Sequence, residues 1–112
     1  MSADGGGGSS LRLDKFLWFA RLARTRSAAA RLCAEGRVAI AGVPAFKPHQ
    51  PVRIGDWVTV EQGHWRRRLR VMALAERRGS ASAARELYDE PEPPQRVPRE
   101  PWAALIEEEA GA

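Results

Sequence analysis

The sequence predicts an α+β fold in which a helical hairpin packs on a small, mostly antiparallel sheet. Residues 12–36 of the 112-residue chain contain two short helical patterns joined by a tight turn, which is typical of a helical hairpin. From Val38 onward the apolar period changes to the alternation of β-strands. Short strands that follow short helices are typical of α+β domains. An added C-terminal helix and an acidic tail complete this prediction.

The first helix is predicted over residues 12–24, which contain no Gly, Pro or Asn. One buried stripe is expected from the apolar residues at the i, i+3, i+4, i+7 spacing, which are Leu13, Phe16, Leu17 and Ala20. Ser27 is the predicted N-cap of the second helix, and Gly36 the glycine at which that helix stops.

Short strands follow the helical hairpin. They are predicted over residues 38–40, 57–60 and 65–74, with a returning strand over 43–46 and an irregular loop over 47–54. In the last strand Leu69 and Val71 share one face, and Arg66, Arg68 and Arg70 the other. A third helix is predicted from Ser80 to about Tyr88.

Charge divides the chain into a basic body and an acidic tail. Residues 11–85 hold 16 Lys or Arg against 5 Asp or Glu, whereas residues 86–112 hold 2 against 8. A basic body of this kind predicts a polyanionic partner. We therefore divide the chain into a flexible, glycine-rich segment (1–10), one domain with a C-terminal extension (11–88) and a proline-rich acidic tail (89–112).

Several functional classes are not expected. No run of 18 apolar residues is present to span a membrane, and the first residues lack the pattern of a signal peptide. Cys33, the single cysteine, fits a reducing cytoplasm and lies on an apolar stripe, where a place in the core is expected. His49 and His64 have no metal-ligand spacing, so neither a metal site nor a catalytic centre is predicted.

The candidate site is a cluster of cations around the helical hairpin. Only Asp14 and Glu35 interrupt six basic residues, which are Arg12, Lys15, Arg24, Arg26, Arg31 and Arg37. Like charges repel, so such a cluster costs stability unless a polyanion neutralises it. Asp14 is expected either to cap the first helix or to pair with an arginine. Trp18 and Phe19 either stack on a base or lie in the core.

A second basic patch lies on the predicted strand over residues 65–74. Its members are Arg66, Arg67, Arg68 and Arg70. Arginine binds phosphate through two parallel hydrogen bonds, so this patch is a second candidate contact with a polyanion.

The stretch RLDKFLWFARLARTRSAAARLCAEGRVAIAG resembles the RNA-binding domain named after ribosomal protein S-four, also called the alpha-L motif. It has the R-L-D-K opening, the T-R-S turn and the glycine that closes the second helix, and K-P at 47–48 and G-D at 55–56 continue the pattern. The remainder is similar to the ribosome-associated heat-shock-protein-15 family, through L-W at 17–18, an extra strand and the stretch over residues 77–88.

This resemblance implies a non-catalytic protein without a cofactor, which uses the helical hairpin to bind structured ribosomal RNA. The expected partner is the large ribosomal subunit, with tRNA on that subunit as a further partner, in the rescue of stalled subunits that carry nascent chain-tRNA. The resemblance implies RNA contacts by the six cations of the hairpin and by Thr25 and Lys47. We expect a cytoplasmic monomer. Two departures are Ala41, where the family often has Asn, and the acidic tail, which is basic in the family.

Two alternatives stay open at this point. Two short helices with a basic face also fit a helix-turn-helix regulator that binds DNA. The acidic tail either folds back on the arginines through Trp102, Leu105 and Ile106 or serves as a disordered, solubilising segment.

Overall fold

The computed structural model describes residues 9–97, and it confirms the predicted α+β class. In chain order the elements are β1 (Leu11–Arg12), α1 (Leu13–Phe19), α2 (Arg26–Ala34), β2 (Val38–Ile40), β3 (Val43–Pro44), β4 (Pro51–Val52), β5 (Trp57–Gln62), β6 (Trp65–Val71), α3 (Ala81–Arg85), β7 (Tyr88–Asp89) and β8 (Gln95–Arg96). The expectations about Trp102, Leu105 and Ile106 fall outside the described residues.

The main sheet is antiparallel in every pairing and has the strand order β3-β2-β5-β6-β7. The β5–β6 hairpin is its centre, and Val58 lies opposite Leu69 in that pair. Strand β8 pairs with the first two residues of β6, whereas β7 pairs with the last two. A separate pair joins β1 to β4, which corrects the prediction that residues 47–54 form only an irregular loop.

One apolar core lies between the helical hairpin and the sheet. The alternation predicted for β6 is confirmed, because Leu69 and Val71 are fully buried while the arginines between and before them are not. The largest fully buried side chains come from both layers, and they include Phe16, Leu13, Leu17, Leu69, Val38 and Val58. Cys33 lies in the same cluster, as predicted.

Helix α1 is shorter than predicted, because it ends at Phe19 instead of residue 24. Arg21 adopts a left-handed conformation with φ 59°, and the amides of Leu22 and Ala23 both donate to the Leu17 carbonyl. This turn buries Leu22 and Ala23 in the core. The gain from burial therefore outweighs the helix propensity of this segment.

Helix α2 begins two residues earlier than the predicted cap implies. Its N-cap is Thr25, not Ser27, and the Thr25 hydroxyl accepts a hydrogen bond from the Ala28 amide at 3.0 Å. The helix ends before Gly36, as predicted, and Gly36 has φ 74°. A side chain at Gly36 would also lie 3.0 Å from the ring of Phe46.

The turn between β2 and β3 has left-handed residues at Ala41 (φ 53°) and Gly42 (φ 80°). Two consecutive positive φ angles are the signature of a tight hairpin turn that favours Asn-Gly. The turn therefore has this geometry with Ala at a position that favours Asn, and Ala41 carries the associated steric strain.

The C-terminal part of the fold differs from the prediction. Ser80 caps α3, but the helix ends at Arg85, and Tyr88 belongs to strand β7 instead. The segment around β8, which belongs to the predicted proline-rich tail, pairs with β6, and the Val97 amide donates to the His64 carbonyl at 2.7 Å. The sheet thus continues beyond residue 88, where the sequence placed the end of the domain; the domain limits themselves stay a prediction.

Two arginines connect the end of α1 to the segment before α3. The Arg21 guanidinium donates to the Gly79 carbonyl at 2.9 and 3.1 Å. In the opposite direction, Arg78 donates to the Trp18 carbonyl at 3.0 Å, and its guanidinium lies 6.0 Å from the centre of the Trp18 ring. We call these two contacts the arginine clasp. They fix the turn that follows α1.

Candidate RNA-binding surface

Asp14 organises the first part of the cationic surface. This carboxylate is only 3% exposed and accepts two hydrogen bonds from the Arg12 guanidinium, at 3.0 and 3.1 Å. It also accepts one from Arg26 at 3.3 Å and one from the Lys15 amide at 2.8 Å. Of the two interpretations of Asp14, pairing with arginine is confirmed, because the N-cap of α1 is Arg12, which makes no side-chain cap.

The charge of Asp14 follows from this geometry. Burial alone would raise the pKa of its carboxyl group, but the hydrogen bonds and charges of Arg12 and Arg26 outweigh burial and lower the pKa below 3.8. A carboxylate at neutral pH therefore holds together two arginines from the starts of both helices. Their side chains stay 46% and 42% exposed, so they remain accessible to a polyanion.

Arg24 and Arg31 line a shallow cleft of about 290 Å³ between the helical hairpin and the β5–β6 turn. The Gln62 side-chain amide donates to the Leu22 carbonyl and so connects the two turns that border this cleft. Both arginines are exposed, and within residues 9–97 neither has an ion pair or a hydrogen bond from its side chain. We call this pair and its lining the Arg24–Arg31 cleft.

The remaining predicted contacts surround these two groups. Lys47 is exposed, and the loop that it opens is bound to the start of α1, because the Asp14 amide donates to the Pro48 carbonyl at 3.0 Å. Lys15 lines a separate cleft of about 450 Å³. Arg37 instead pairs with Glu35 at 3.0 Å. Thr25 acts through its cap, which sets the direction in which α2 begins.

The second basic patch is partly neutralised. Arg67 makes a bidentate ion pair with Glu90, at 2.7 and 3.0 Å, and Arg66 pairs with Glu61 at 2.8 Å. Arg68 stacks over the Trp57 ring, with its guanidinium carbon 4.1 Å from the ring centre. Arg70 is exposed and makes no ion pair among the residues described.

Some features of this surface were not visible in the sequence. No local pattern in the sequence shows that the Gln62 side chain reaches the carbonyl of Leu22. Phe19 is 5% exposed and belongs to the core, which settles its two interpretations, whereas Trp18 is half-buried under the arginine clasp. Phe46, which no motif singled out, is 59% exposed.

Two kinds of feature are absent from the described part of the chain. Residues 9–97 contain no helix with the length and apolar character needed to cross a membrane. In the same range no three Cys, His, Asp or Glu side chains come together in a group suited to a metal ion.

Comparison with known proteins shows which class of domain the chain contains. The family model of the S4 domain matches residues 11–58, which include α1, α2 and the loop bound to them, so the chain carries an RNA-binding type of domain. A solved trimeric structure of Vibrio cholerae heat shock protein 15 superposes with a TM-score of 0.67 at 33% identity, and the match covers 93% of this chain and 94% of that one. The chain belongs to the heat shock protein 15 family.

Two curated relatives agree with this assignment. The heat shock protein 15 homolog of Aeromonas salmonicida is 40% identical over 84 residues, which are 75% of this chain and 63% of that protein. Heat shock protein 15 of Escherichia coli (strain K12) is 39% identical over 80 residues, which are 71% and 59%. The matched region thus spans about three fifths of the length of these relatives.

Proposed function

We propose that this chain is a non-catalytic, cytoplasmic protein that binds structured ribosomal RNA on the large ribosomal subunit. The observation that carries the proposal is the cationic surface of the S4 domain. There Asp14 orients two arginines, and the Arg24–Arg31 cleft presents two more that have no ion pair within residues 9–97. Unpaired guanidinium groups bind phosphate oxygens through charge-assisted hydrogen bonds. Phosphate contacts supply most of the affinity, and the fixed spacing of the arginines supplies recognition of shape.

The test replaces the arginines of the surface. Arg24→Ala with Arg31→Ala is expected to weaken binding to ribosomal RNA by about 10- to 100-fold, because two charge-assisted contacts are lost. The slope of log affinity against log salt should fall by about 2, one unit for each lost phosphate contact. Adding Arg26→Ala should weaken binding further. Filter binding or fluorescence anisotropy at several salt concentrations measures both quantities.

A matched control has the same change of charge elsewhere. Arg53, Arg77 and Arg85 are exposed and make no ion pair within the described range, so their triple alanine variant tests net charge alone. It is expected to retain most of the affinity. Equal losses of RNA affinity in the control and in the Arg24, Arg26 and Arg31 variant would contradict the assigned site. A preference of the wild-type chain for duplex DNA over ribosomal RNA would favour the helix-turn-helix alternative.

The finer part of the proposal concerns the state of the subunit. We propose that the chain acts on stalled large subunits that still carry nascent chain-tRNA, with the tRNA as a second ligand. Purified large subunits loaded with peptidyl-tRNA should retain more of the protein in a sucrose gradient than vacant subunits. Equal retention would contradict the rescue role and leave binding to ribosomal RNA intact.

The oligomeric state is also open to test. The trimeric structure of the Vibrio cholerae relative favours an oligomer over the monomer expected from the sequence. We expect light scattering of the full chain at micromolar concentration to give a mass above that of one 12.4 kDa chain. The mass of a single chain at all concentrations would contradict an oligomer and support the monomer expected from the sequence.

A further inference from the structure

Phe46 is a large aromatic side chain on the surface of a charged domain. It is 59% exposed, although its neighbour Ala45 is fully buried and donates its amide to the Val38 carbonyl at 2.8 Å. The Phe46 ring rests against the bare α-carbon of Gly36, where an added Cβ would lie 3.0 Å from the ring. The backbone is therefore anchored, and one face or edge of the ring is supported while the rest is open to solvent.

Charged residues flank Phe46 and the glycine that supports it, and of these the Glu35 carboxylate is paired with Arg37 at 3.0 Å. Lys47 follows Phe46 directly, and Arg37 follows the supporting glycine. The loop that Lys47 opens is bound to the start of α1 through the Pro48 and Gln50 carbonyls, which accept from backbone amides at 3.0 and 2.8 Å. This is the end of α1 where Asp14 holds the arginines, so Phe46 borders the surface that we assign to RNA.

An exposed aromatic ring beside cations has a specific use in RNA recognition. Base stacking on such a ring is favourable for every base, whereas nearby cations hold the flanking phosphates. Bases within a continuous duplex are already stacked on each other, so only an unpaired base can use the ring.

We propose that Phe46 stacks on an unpaired base of the bound RNA, with Lys47 on an adjacent phosphate. This inference rests on the proposed function and adds a requirement: the recognised RNA has a single-stranded loop, bulge or end next to its structured part. The chemical class of the ligand is thus narrower than structured RNA in general.

The test compares substitutions that separate the π face from apolar area. Phe46→Ala is expected to weaken binding of a single-stranded oligouridylate by about 5- to 100-fold, in line with the loss of one stacked base. Phe46→Leu, which keeps apolar bulk without a ring, should lose nearly as much, whereas Phe46→Trp should retain the affinity. Binding of a fully paired RNA duplex should not change in any of the three variants.

Val43→Ala is the matched control, because Val43 is 64% exposed on the neighbouring strand and its truncation also removes exposed apolar surface. It should leave both affinities unchanged. Phe46→Leu binding as well as wild type would overturn the proposal. So would a Phe46→Ala variant that binds RNA normally but has a smaller assembled mass, because Phe46 would then form a contact between copies of the chain.

The arginine variant distinguishes failure of the stacking proposal from failure of the proposed function. If Arg24→Ala with Arg31→Ala weakens RNA binding and Phe46→Ala does not, only the stacking proposal fails. If neither set of substitutions affects RNA binding, the stacking proposal and the assignment of RNA binding to this surface both fail. If the wild-type chain binds no ribosomal RNA, the proposed function itself fails.

Discussion

Asp14→Asn is expected to lower the free energy of unfolding by about 1–3 kcal/mol, since the substitution removes one partner of a buried ion pair. The amide keeps the shape of the side chain and can still accept from the Lys15 backbone, but it has no charge to offer Arg12 and Arg26. The two guanidinium groups are nearly half exposed and can regain water, which keeps the cost below that of a fully buried pair. Urea denaturation followed by tryptophan fluorescence measures it.

Glu35→Gln is the matched control for this prediction. Glu35 also pairs with an arginine, at 3.0 Å, but its side chain is 45% exposed, so the loss should be under about 0.5 kcal/mol. Similar losses in the two variants would show that burial of Asp14 contributes nothing to its effect.

The effect of Asp14→Asn should depend on pH in a defined direction. The folded chain lowers the pKa of Asp14, so the stability contributed by the carboxylate is fully present above its unfolded value of about 3.8. That contribution is lost as the pH falls through the lower pKa of the folded state. The difference in stability between the wild type and the variant should therefore shrink in acid, and a constant difference from neutral pH to strong acid would contradict the ion-pair explanation.

Cys33 is expected to react with a thiol reagent at pH 8 at least about 100-fold more slowly in the folded chain than in the denatured chain. The side chain is fully buried, and burial, with a smaller contribution from the charge of Asp14, raises its pKa from 9.0 to about 11. Two pKa units alone reduce the thiolate fraction about 100-fold, and only the thiolate reacts. Absorbance of the released thiol from a disulfide reagent follows the rate.

Cys33→Ser serves as the blank for that measurement, because no other cysteine is present. Equal rates in native and denatured chains would contradict the burial of the thiol. The same pKa shift predicts alkaline sensitivity: the protonated thiol favours the folded state below pH 9, and this contribution is lost as the pH rises towards 11.

Local sequence predicted those parts of the fold that local chemistry determines. Gly36 ends α2 and the alternation around Leu69 defines the two faces of β6, because each depends on the conformational range or polarity of the residues themselves. The end of α1 could not be predicted in this way. Arg21 is an ordinary helix former, and its left-handed conformation is maintained by burial of the residues after it and by a carbonyl far along the chain.

In the candidate site, too, some features follow from the local sequence and others only from tertiary contacts. The density of arginine around the helical hairpin is visible in the sequence, and the predicted cluster includes the two arginines that line the cleft. Which arginines are available is a tertiary property. Glu90 lies 23 residues from Arg67, and only the pairing of β7 with β6 brings the carboxylate to that arginine.

The arginine clasp has a consequence for the order in which the chain acquires its shape during synthesis. Its contacts join residues 58 and 60 positions apart, so they cannot form until residue 79 has left the ribosome. Both helices and the β5–β6 hairpin are made earlier and depend on nearer contacts. The newly made helical hairpin therefore exists first without the arginine clasp. The turn after α1 is fixed only after the last third of the chain has been synthesised.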